Sequence, residues 1–314
     1  MSNSSALELD GKVAIVTGSG RGLGLAIAQA MAQAGAAVVV NDIDADVAHE
    51  AVASIVAGGG KAVAHACAVG PTAAAQALVD RAVAEFGRLD ILCANAGNLR
   101  DKVLWNLSDD DFDSVIETHL RGTFTCARAA VKHMRTQAQG GRLILLASPA
   151  GQRGNVGQTA YAAAKAGIAA MARTWSMECS RAGITVNAMV PVAMTRMAAS
   201  IPALAPYAAA AERGEPLPDM LRKGMGLGTA ADVAPLAVFL ASEAGAGVTG
   251  QCIGIGGDRL SIWSHPQEIS TAFANGGWSA EAIAQAWGNT VGPYVQSVGM
   301  PPVNIVDQEK ETGK

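Results

Sequence analysis

Aromatic residues make up only 4% of this 314-residue chain, and charged residues only 16%. The apolar half is therefore mostly Ala, Val, Leu and Ile, joined by 36 glycines. That mixture suits helices packed closely on a buried sheet and argues against an aromatic-rich all-β sandwich, while the low charge excludes wholesale disorder. A basic surplus is also missing: 23 Lys and Arg stand against 27 Asp and Glu, a net charge of −4. No nucleic-acid partner is expected from that balance. No apolar run approaches the ~18 residues of a membrane span, so no membrane partner is expected either. The opening MSNSSALELDG lacks a basic segment followed by an apolar one, so no secretory signal is read there. The five cysteines, Cys67, Cys93, Cys126, Cys179 and Cys252, are odd in number and show neither CxxC spacing nor a Cys/His cluster. They read as structural thiols in a reducing cytoplasm, with no metal site expected.

What is present is a rhythm. Short β-branched runs alternate with longer Ala-rich stretches of helical period. Strands are predicted over Lys12–Thr17, Ala37–Asn41, Lys61–Cys67, Leu89–Ala94, Arg142–Ser148, Ile184–Val190 and Gln251–Ile255. Helices are predicted over Gly22–Ala34, Asp46–Val56, Thr72–Phe86, one or two within Asp109–Gln137, Ala160–Arg181 and Ala231–Ala241. Several strands are apolar throughout, as when helices cover both faces. Alternation with right-handed crossovers predicts an α/β fold with a doubly wound, seven-stranded parallel sheet. The length alone suggests about two domains by a ~150-residue norm. The rhythm instead predicts an arm over 1–9, one Rossmann-like catalytic domain over 10–257 carrying a substrate lid at 193–228, and a C-terminal extension over 258–314.

Between the first strand and first helix runs Thr17-Gly18-Ser19-Gly20-Arg21-Gly22-Leu23-Gly24. Glycines in a βα turn let the backbone approach a pyrophosphate that then faces the helix N-terminus. At the end of the second strand stands Asp42, whose carboxylate can accept both ribose hydroxyls of an adenosine and repel a 2′-phosphate. No Lys or Arg lies between Asn41 and Val47, which favours NAD over NADP. Arg21 is the counter-argument, since it could reach a 2′-phosphate from the glycine turn.

Tyr161 and Lys165 are four apart on one predicted helix, one turn apart on the same face. A phenol is a poor base at neutral pH, and an adjacent ammonium is expected to favour its ionised form. Ser148 lies at the C-terminal end of the fifth predicted strand, the edge where open parallel sheets bind ligands. Its hydroxyl can donate to a substrate oxygen while the tyrosine handles the proton.

TGSGRGLG, the ANAG of Ala94–Gly97, Ser148 with Tyr161-x-x-x-Lys165, and Asn187-Ala-Met-Val-Pro191-Val-Ala-Met-Thr195 follow in an order that resembles the short-chain dehydrogenase/reductase family over about 10–257. The resemblance implies Tyr161 as acid/base, Ser148 orienting the substrate oxygen, and Lys165 binding the nicotinamide ribose and lowering the Tyr161 pKa. It implies Gly18, Gly22 and Gly24 at the pyrophosphate, Arg21 and Leu23 in the same cofactor-binding turn, and Asp42 at the adenosine ribose. Asn95 and Gly97 would support the cofactor from the fourth strand, with Val192 and Thr195 near the carboxamide. HLRGTF and GNVGQTAYAAAKAG further resemble the (3R)-hydroxyacyl-CoA dehydrogenase units of peroxisomal multifunctional enzymes and bacterial relatives acting on hydroxyacyl-CoA and steroid substrates.

Three departures from the family stand out. Ala68 replaces the usual adenine-side Asp, and Pro191-Val192 replaces Pro-Gly. His119 replaces the helix asparagine that anchors a proton-relay water; it could hold that water and titrate near pH 6.5, or simply fill the space as a neutral imidazole. The lid, with Met194, Met197, Ile201, Leu204, Tyr207, Leu217, Met220 and Met225, suits an apolar, adaptable pocket or a segment packed on itself. Met194 and Met197 are candidate substrate contacts. Arg196, Arg213, Arg222 and Lys223 could meet the phosphates of a CoA ester or be solvated. The expected activity is NAD-dependent interconversion of a secondary alcohol and a ketone in a homotetramer. The alternatives are an NADPH-dependent 3-oxoacyl ketoreductase and a non-catalytic NAD-binding protein. The tail holds Trp263, Trp278 and Trp287, and the sequence does not say what they cover.

Overall fold

The computed structural model describes residues 5–194, 204–213 and 215–299. Among them, eight strands form one sheet in the order β3-β2-β1-β4-β5-β6-β7-β8. They are β1 Val13–Val16, β2 Ala37–Asp42, β3 Lys61–Ala66, β4 Ile91–Ala94, β5 Gly141–Leu146, β6 Ile184–Pro191, β7 Cys252–Gly256 and β8 Arg259–Trp263. The helices are α1 Gly22–Gln33, α2 Ala45–Ala57, α3 Thr72–Phe86, α4 Asp109–Val115, α5 Gly122–Gln137, α6 Pro149–Arg153, α7 Thr159–Cys179, α8 Ala205–Glu212, α9 Ala230–Ala241 and α10 Ala280–Ala286.

Period-two alternation sorts each central strand between two cores. Val13, Ile15, Leu143, Leu145, Val186 and Ala188 face α3, α5 and α7. Ala14, Val16, Ile144, Leu146 and Met189 face α1, α2 and α9. With alanine lining these helices, their axes can lie close to the sheet, and the core is dense without large rings. The strand order reverses between β1 and β4, both parallel to each other. Ligands of doubly wound sheets bind above such a switch point, outside the carboxyl ends of the strands.

The sheet corrects the sequence reading in one respect. The first seven strands are parallel, but β8 adds an eighth, antiparallel to β7 and paired from Cys252↔Trp263 to Gly256↔Arg259. The chain reverses in the two residues Gly257-Asp258, and Gly257 has φ +52, the conformation a tight hairpin turn asks for. The strand was passed over because Leu260 and Ile262 are exposed, so its apolar residues mark no core face. Trp263 thus belongs to the sheet and packs on its core, not outside it.

A second detail concerns Asp109–Gln137. Two α-helices are joined by a π-helical turn, Ile116–Arg121. The wider turn shifts the helix phase and leaves His119 pointing inward, buried at 4% exposure. Such π turns commonly mark functional sites.

Candidate active site

The glycine turn is built around β1, β2 and β4. Asn95 donates from its side-chain amide to the carbonyls of Thr17 and Gly18, at 3.0 and 2.9 Å. The Thr17 hydroxyl accepts the backbone N–H groups of Asn95 and Ala96. Asp42 is buried; its carboxylate accepts Gly20 N–H and Asp44 N–H, both at 3.2 Å. Helix α1 begins at Gly22, and its N-cap residue Arg21 offers no side-chain cap. The first-turn N–H groups of a helix are orphan donors with a partial positive charge. A Cβ at Gly22 would meet nothing within 4 Å, so this uncapped helix end faces open space. The residues fit a dinucleotide pyrophosphate. Leu23 and Gly24 follow in the same turn, Gly24 lying against the Gly18 carbonyl and the Asn95 amide.

Arg21 sits 3.9 Å from Asp44, both half exposed, so the cation that might have met a 2′-phosphate has a carboxylate beside it. Ala68 is exposed and apolar. The work of that edge falls to Asn41, which the sequence reading missed. Its amide donates to the carbonyls of His65 and Cys67, at 3.1 and 3.0 Å, locking the end of β3 to the glycine turn. The available signal was a polar residue ending an otherwise apolar run, AVVVN.

Ser148 lies two residues beyond β5 and caps α6, its hydroxyl accepting Ala150 N–H at 3.2 Å. The same hydroxyl favours the ionised form of the Tyr161 phenol. Tyr161 stands in the first turn of α7, and Lys165, buried, lies one turn on with its ammonium 5.6 Å from the Tyr161 ring centre. Lys165 Nζ donates to the carbonyl of Leu146 at the end of β5. Three side chains from β5 and α7 are thereby brought together.

Their protonation corrects an expectation. Burial raises the Tyr161 pKa, opposed by its bond to Ser148 and assisted by the nearby Asp101 charge. Burial likewise lowers Lys165 from 10.5 to about 7. Desolvation is the largest influence on the Tyr161 phenol and favours its protonated form.

His119 meets Tyr161 edge to face, with ring centres 5.2 Å apart and planes at 86°. Burial, and then the Lys165 charge, lower its pKa to about 3. The imidazole is neutral, not a group titrating near 6.5. Its Nε2 lies 3.1 Å from Asn98 N and 2.7 Å from Asn98 O, while Nδ1 is buried without a hydrogen-bond partner. A Cβ at Gly97 would lie 2.1 Å from His119 Cε1. The larger residue at 119 therefore requires glycine at 97.

On the opposite wall, Val192 N–H donates to Ile255 O at 2.9 Å and Met194 N–H to Gly228 O at 2.6 Å. Met194, Tyr207, Met220 and Met225 pack with Val192 around buried Leu204, Leu217, Leu221 and Leu227. This segment is packed on itself. Its described cations also have acidic partners: Arg222 with Asp232 and Asp258, Arg213 with Glu215, Lys223 with Asp219. Thr195, Arg196, Met197 and Ile201 lie outside the described residues. No group of His, Cys, Asp or Glu suited to a metal occurs among the described residues, and all five cysteines are free. No helix among them is long and apolar enough to cross a membrane.

Comparison with known proteins agrees with this geometry. A family model described as enoyl-(acyl carrier protein) reductase matches residues 18–257. The chain is 40% identical to the hydroxyacyl-CoA dehydrogenase ChsB1 of Mycobacterium tuberculosis, over 87% of this chain and 86% of that one. It is 41% identical to peroxisomal multifunctional enzyme type 2 of Mus musculus, over 63% of this chain and 28% of that much longer one. A solved 7α-hydroxysteroid dehydrogenase complexed with NADH and 7-oxo glycochenodeoxycholic acid superposes with a TM-score of 0.70 at 32% identity, covering 82% of this chain and 97% of that one. Uncapped glycine turn, Ser–Tyr–Lys grouping and these likenesses converge: this chain is an oxidoreductase belonging to the short-chain dehydrogenase/reductase family.

Proposed function

We propose that this enzyme interconverts a secondary alcohol and a ketone with NAD, on a bulky apolar or hydroxyacyl-CoA substrate. The observation that carries the reading is the grouping of buried Ser148 and Lys165 with half-buried Tyr161, together with an uncapped helix end. The chemistry NAD supplies when bound is acceptance or return of a hydride at the carbinol carbon. Ser148 holds the substrate oxygen, and Tyr161 takes its proton in oxidation and returns it in reduction. Lys165, drawn from Leu146 toward the cofactor ribose and charged, favours the phenolate. His119 fixes the Tyr161 ring and offers Nδ1 to a buried water. Gly18, Arg21, Gly22, Leu23 and Gly24 seat the pyrophosphate, Asn95 and Gly97 back the cofactor, and Val192 and Thr195 meet the carboxamide. Asp42 selects NAD, supported by the Arg21–Asp44 pairing.

Residues 10–257 serve as the catalytic unit, with 193–228 as a lid whose Met194 and Met197 face substrate. The paired lid cations favour an apolar acyl chain or sterol as the main recognised element over a phosphate. The enzyme assembles as a tetramer through α4, α5 and α7, whose Phe112, Phe124 and Met177 are exposed, and works in the cytoplasm, where five free thiols persist.

The test is a screen of NAD⁺ reduction over hydroxyacyl-CoA esters, hydroxysteroids, aryl alkanols and simple alkanols, repeated with NADP⁺. Turnover with NAD⁺ on the first two classes is expected. Failure with every alcohol under both dinucleotides sinks the reading. A clear preference for NADP⁺ with oxoacyl substrates favours the ketoreductase alternative.

A further inference from the structure

Asp101 is an exposed carboxylate on the loop after β4, and its charge acts on the Tyr161 phenol. The loop after β4 runs beside the start of α7: Lys102 N–H donates to Gly157 O at 2.8 Å, and Lys102 forms a bridge with Gln158. Gln158, buried three residues before Tyr161, donates from Nε2 to Asp101 Oδ2 at 2.8 Å, and its Oε1 accepts from Asn155 at 3.0 Å. The carboxylate is thus fixed beside the first turn of α7.

The cations on either side of Asp101 are engaged elsewhere. Lys102 Nζ donates to Asp111 at 2.6 Å, and Arg100 lies 3.8 Å from the same carboxylate. Among the described residues no Lys or Arg pairs with Asp101. The other groups around Tyr161 are Ser148, neutral His119 and Lys165. Lys165 is buried and donates to Leu146 O, its ammonium 5.6 Å from the ring centre. The Asp101 charge therefore acts on the phenol that handles the carbinol proton.

We propose that Asp101, held by Gln158, is a charge filter: it admits substrates that are neutral beside the reacting carbinol and discriminates against free 3-hydroxy acids. A hydroxyacyl thioester passes, because the pantetheine arm keeps the CoA phosphates far from the carbinol, and so does a hydroxysteroid. A 3-hydroxycarboxylate does not, since its charge lies two bonds from the reacting carbon. The filter rests on the assignment of Tyr161 as acid/base and narrows the substrate class of that same site.

The experiment compares 3-hydroxybutyrate with its ethyl ester, which share one carbinol and differ in charge. Asp101→Asn keeps an acceptor for Gln158 and removes only the charge. Wild type should prefer the ester, and the variant should raise kcat/KM for the acid about five-fold with the ester little changed, the size of one screened charge at an exposed carboxylate. High salt should narrow the same ratio in wild type. The chain has three tyrosines, so ultraviolet titration with Tyr161→Phe subtracted isolates the Tyr161 phenol. Its midpoint should fall in Asp101→Asn, because a like charge has been removed. An unchanged acid-to-ester ratio overturns the filter whatever the titration shows. A changed ratio with an unmoved midpoint shows that the Asp101 charge does not act at the reacting end beside Tyr161, and overturns the filter there. Absence of turnover on every secondary alcohol is a different failure, that of the oxidoreductase reading itself.

Discussion

The two halves of the cleft are built by different means. Around β1, β2 and β4, the cofactor side is made of backbone: Thr17, Asn41, Asp42 and Asn95 spend their polar atoms on main-chain groups. Around β5, α6, α7 and the π turn, the reactive side is made of side chains set against one another. There Nδ1 of His119, Oδ1 of Asn98 and Nε2 of Gln152 are buried without hydrogen-bond partners. A π-helical turn, Ile116–Arg121, lies on that side as well. A surface that recognises one invariant ligand through its backbone can settle its side-chain polar atoms in advance and leave only the main-chain donors at the start of α1 open. A surface that must move protons and accommodate a substrate keeps polar capacity in reserve, at a cost of roughly 1–3 kcal/mol for each unsatisfied group.

The sharpest way to break this contrast is Tyr161→Phe. It should lower kcat by at least about 10³-fold, given the usual size of general acid–base contributions. Dinucleotide affinity, read by nucleotide fluorescence, should stay near wild type, because the backbone side is untouched. Comparable losses in both would show that the halves are not separable. Next in size, Asp42→Ala should cut the preference for NAD⁺ over NADP⁺ by about ten-fold, one lost repulsion and its hydrogen bonds. It should also loosen the turn that Gly20 N–H anchors. Steady-state kinetics with both dinucleotides reads this directly.

Gly97→Ala probes where the halves meet, since the added methyl would overlap the His119 ring. Overpacking there should destabilise the protein by about 1–3 kcal/mol in thermal or urea unfolding. Adding His119→Ala should restore most of it, and a strictly additive double mutant would deny the contact.

The smallest effect is a pH dependence. His119 has a folded pKa of about 3 against 6.5 when unfolded, so the unfolded chain binds the extra proton between those values. Its contribution to stability is complete above about pH 6.5 and is lost as pH falls toward 3. Between about pH 7 and 5.5 the wild type should lose about 1 kcal/mol more than His119→Asn. Lys165 works in the same direction higher up: with a folded pKa of about 7 against 10.5, the penalty for burying its charge eases as pH rises through that window. If activity nonetheless shows a titration near 6.5 that vanishes in His119→Asn, the imidazole is charged during turnover and the neutral positioning role fails.

The cofactor side was the more legible half. TGSGRGLG and Asp42 work through backbone shape and one carboxylate, and both are written in consecutive residues. Helix α3 begins and ends where its period and Gly87 place it, at Thr72–Phe86. On the reactive side, Ser148, Tyr161 and Lys165 were readable from spacing, but the direction of their pKa shifts was not. An i to i+4 pair implies proximity; it says nothing of how much water has been removed, and here desolvation dominates. The π turn was hidden because Asp109–Gln137 keeps helical composition throughout. Strand β8 was hidden because its exposed Leu260 and Ile262 carry no core signature.

By itself the sequence determined the doubly wound sheet, the glycine turn between β1 and α1, and the neighbouring places of Ser148, Tyr161 and Lys165, because these follow from period, glycine placement and short-range spacing. Only the tertiary structure decided that His119 is neutral against Tyr161, that Asn41 ties β3 to the glycine turn, that the described lid cations are paired, and that Arg100 and Lys102 turn to Asp111 and not to Asp101. Each depends on burial or on partners far apart in the chain, and local sequence carries no record of either.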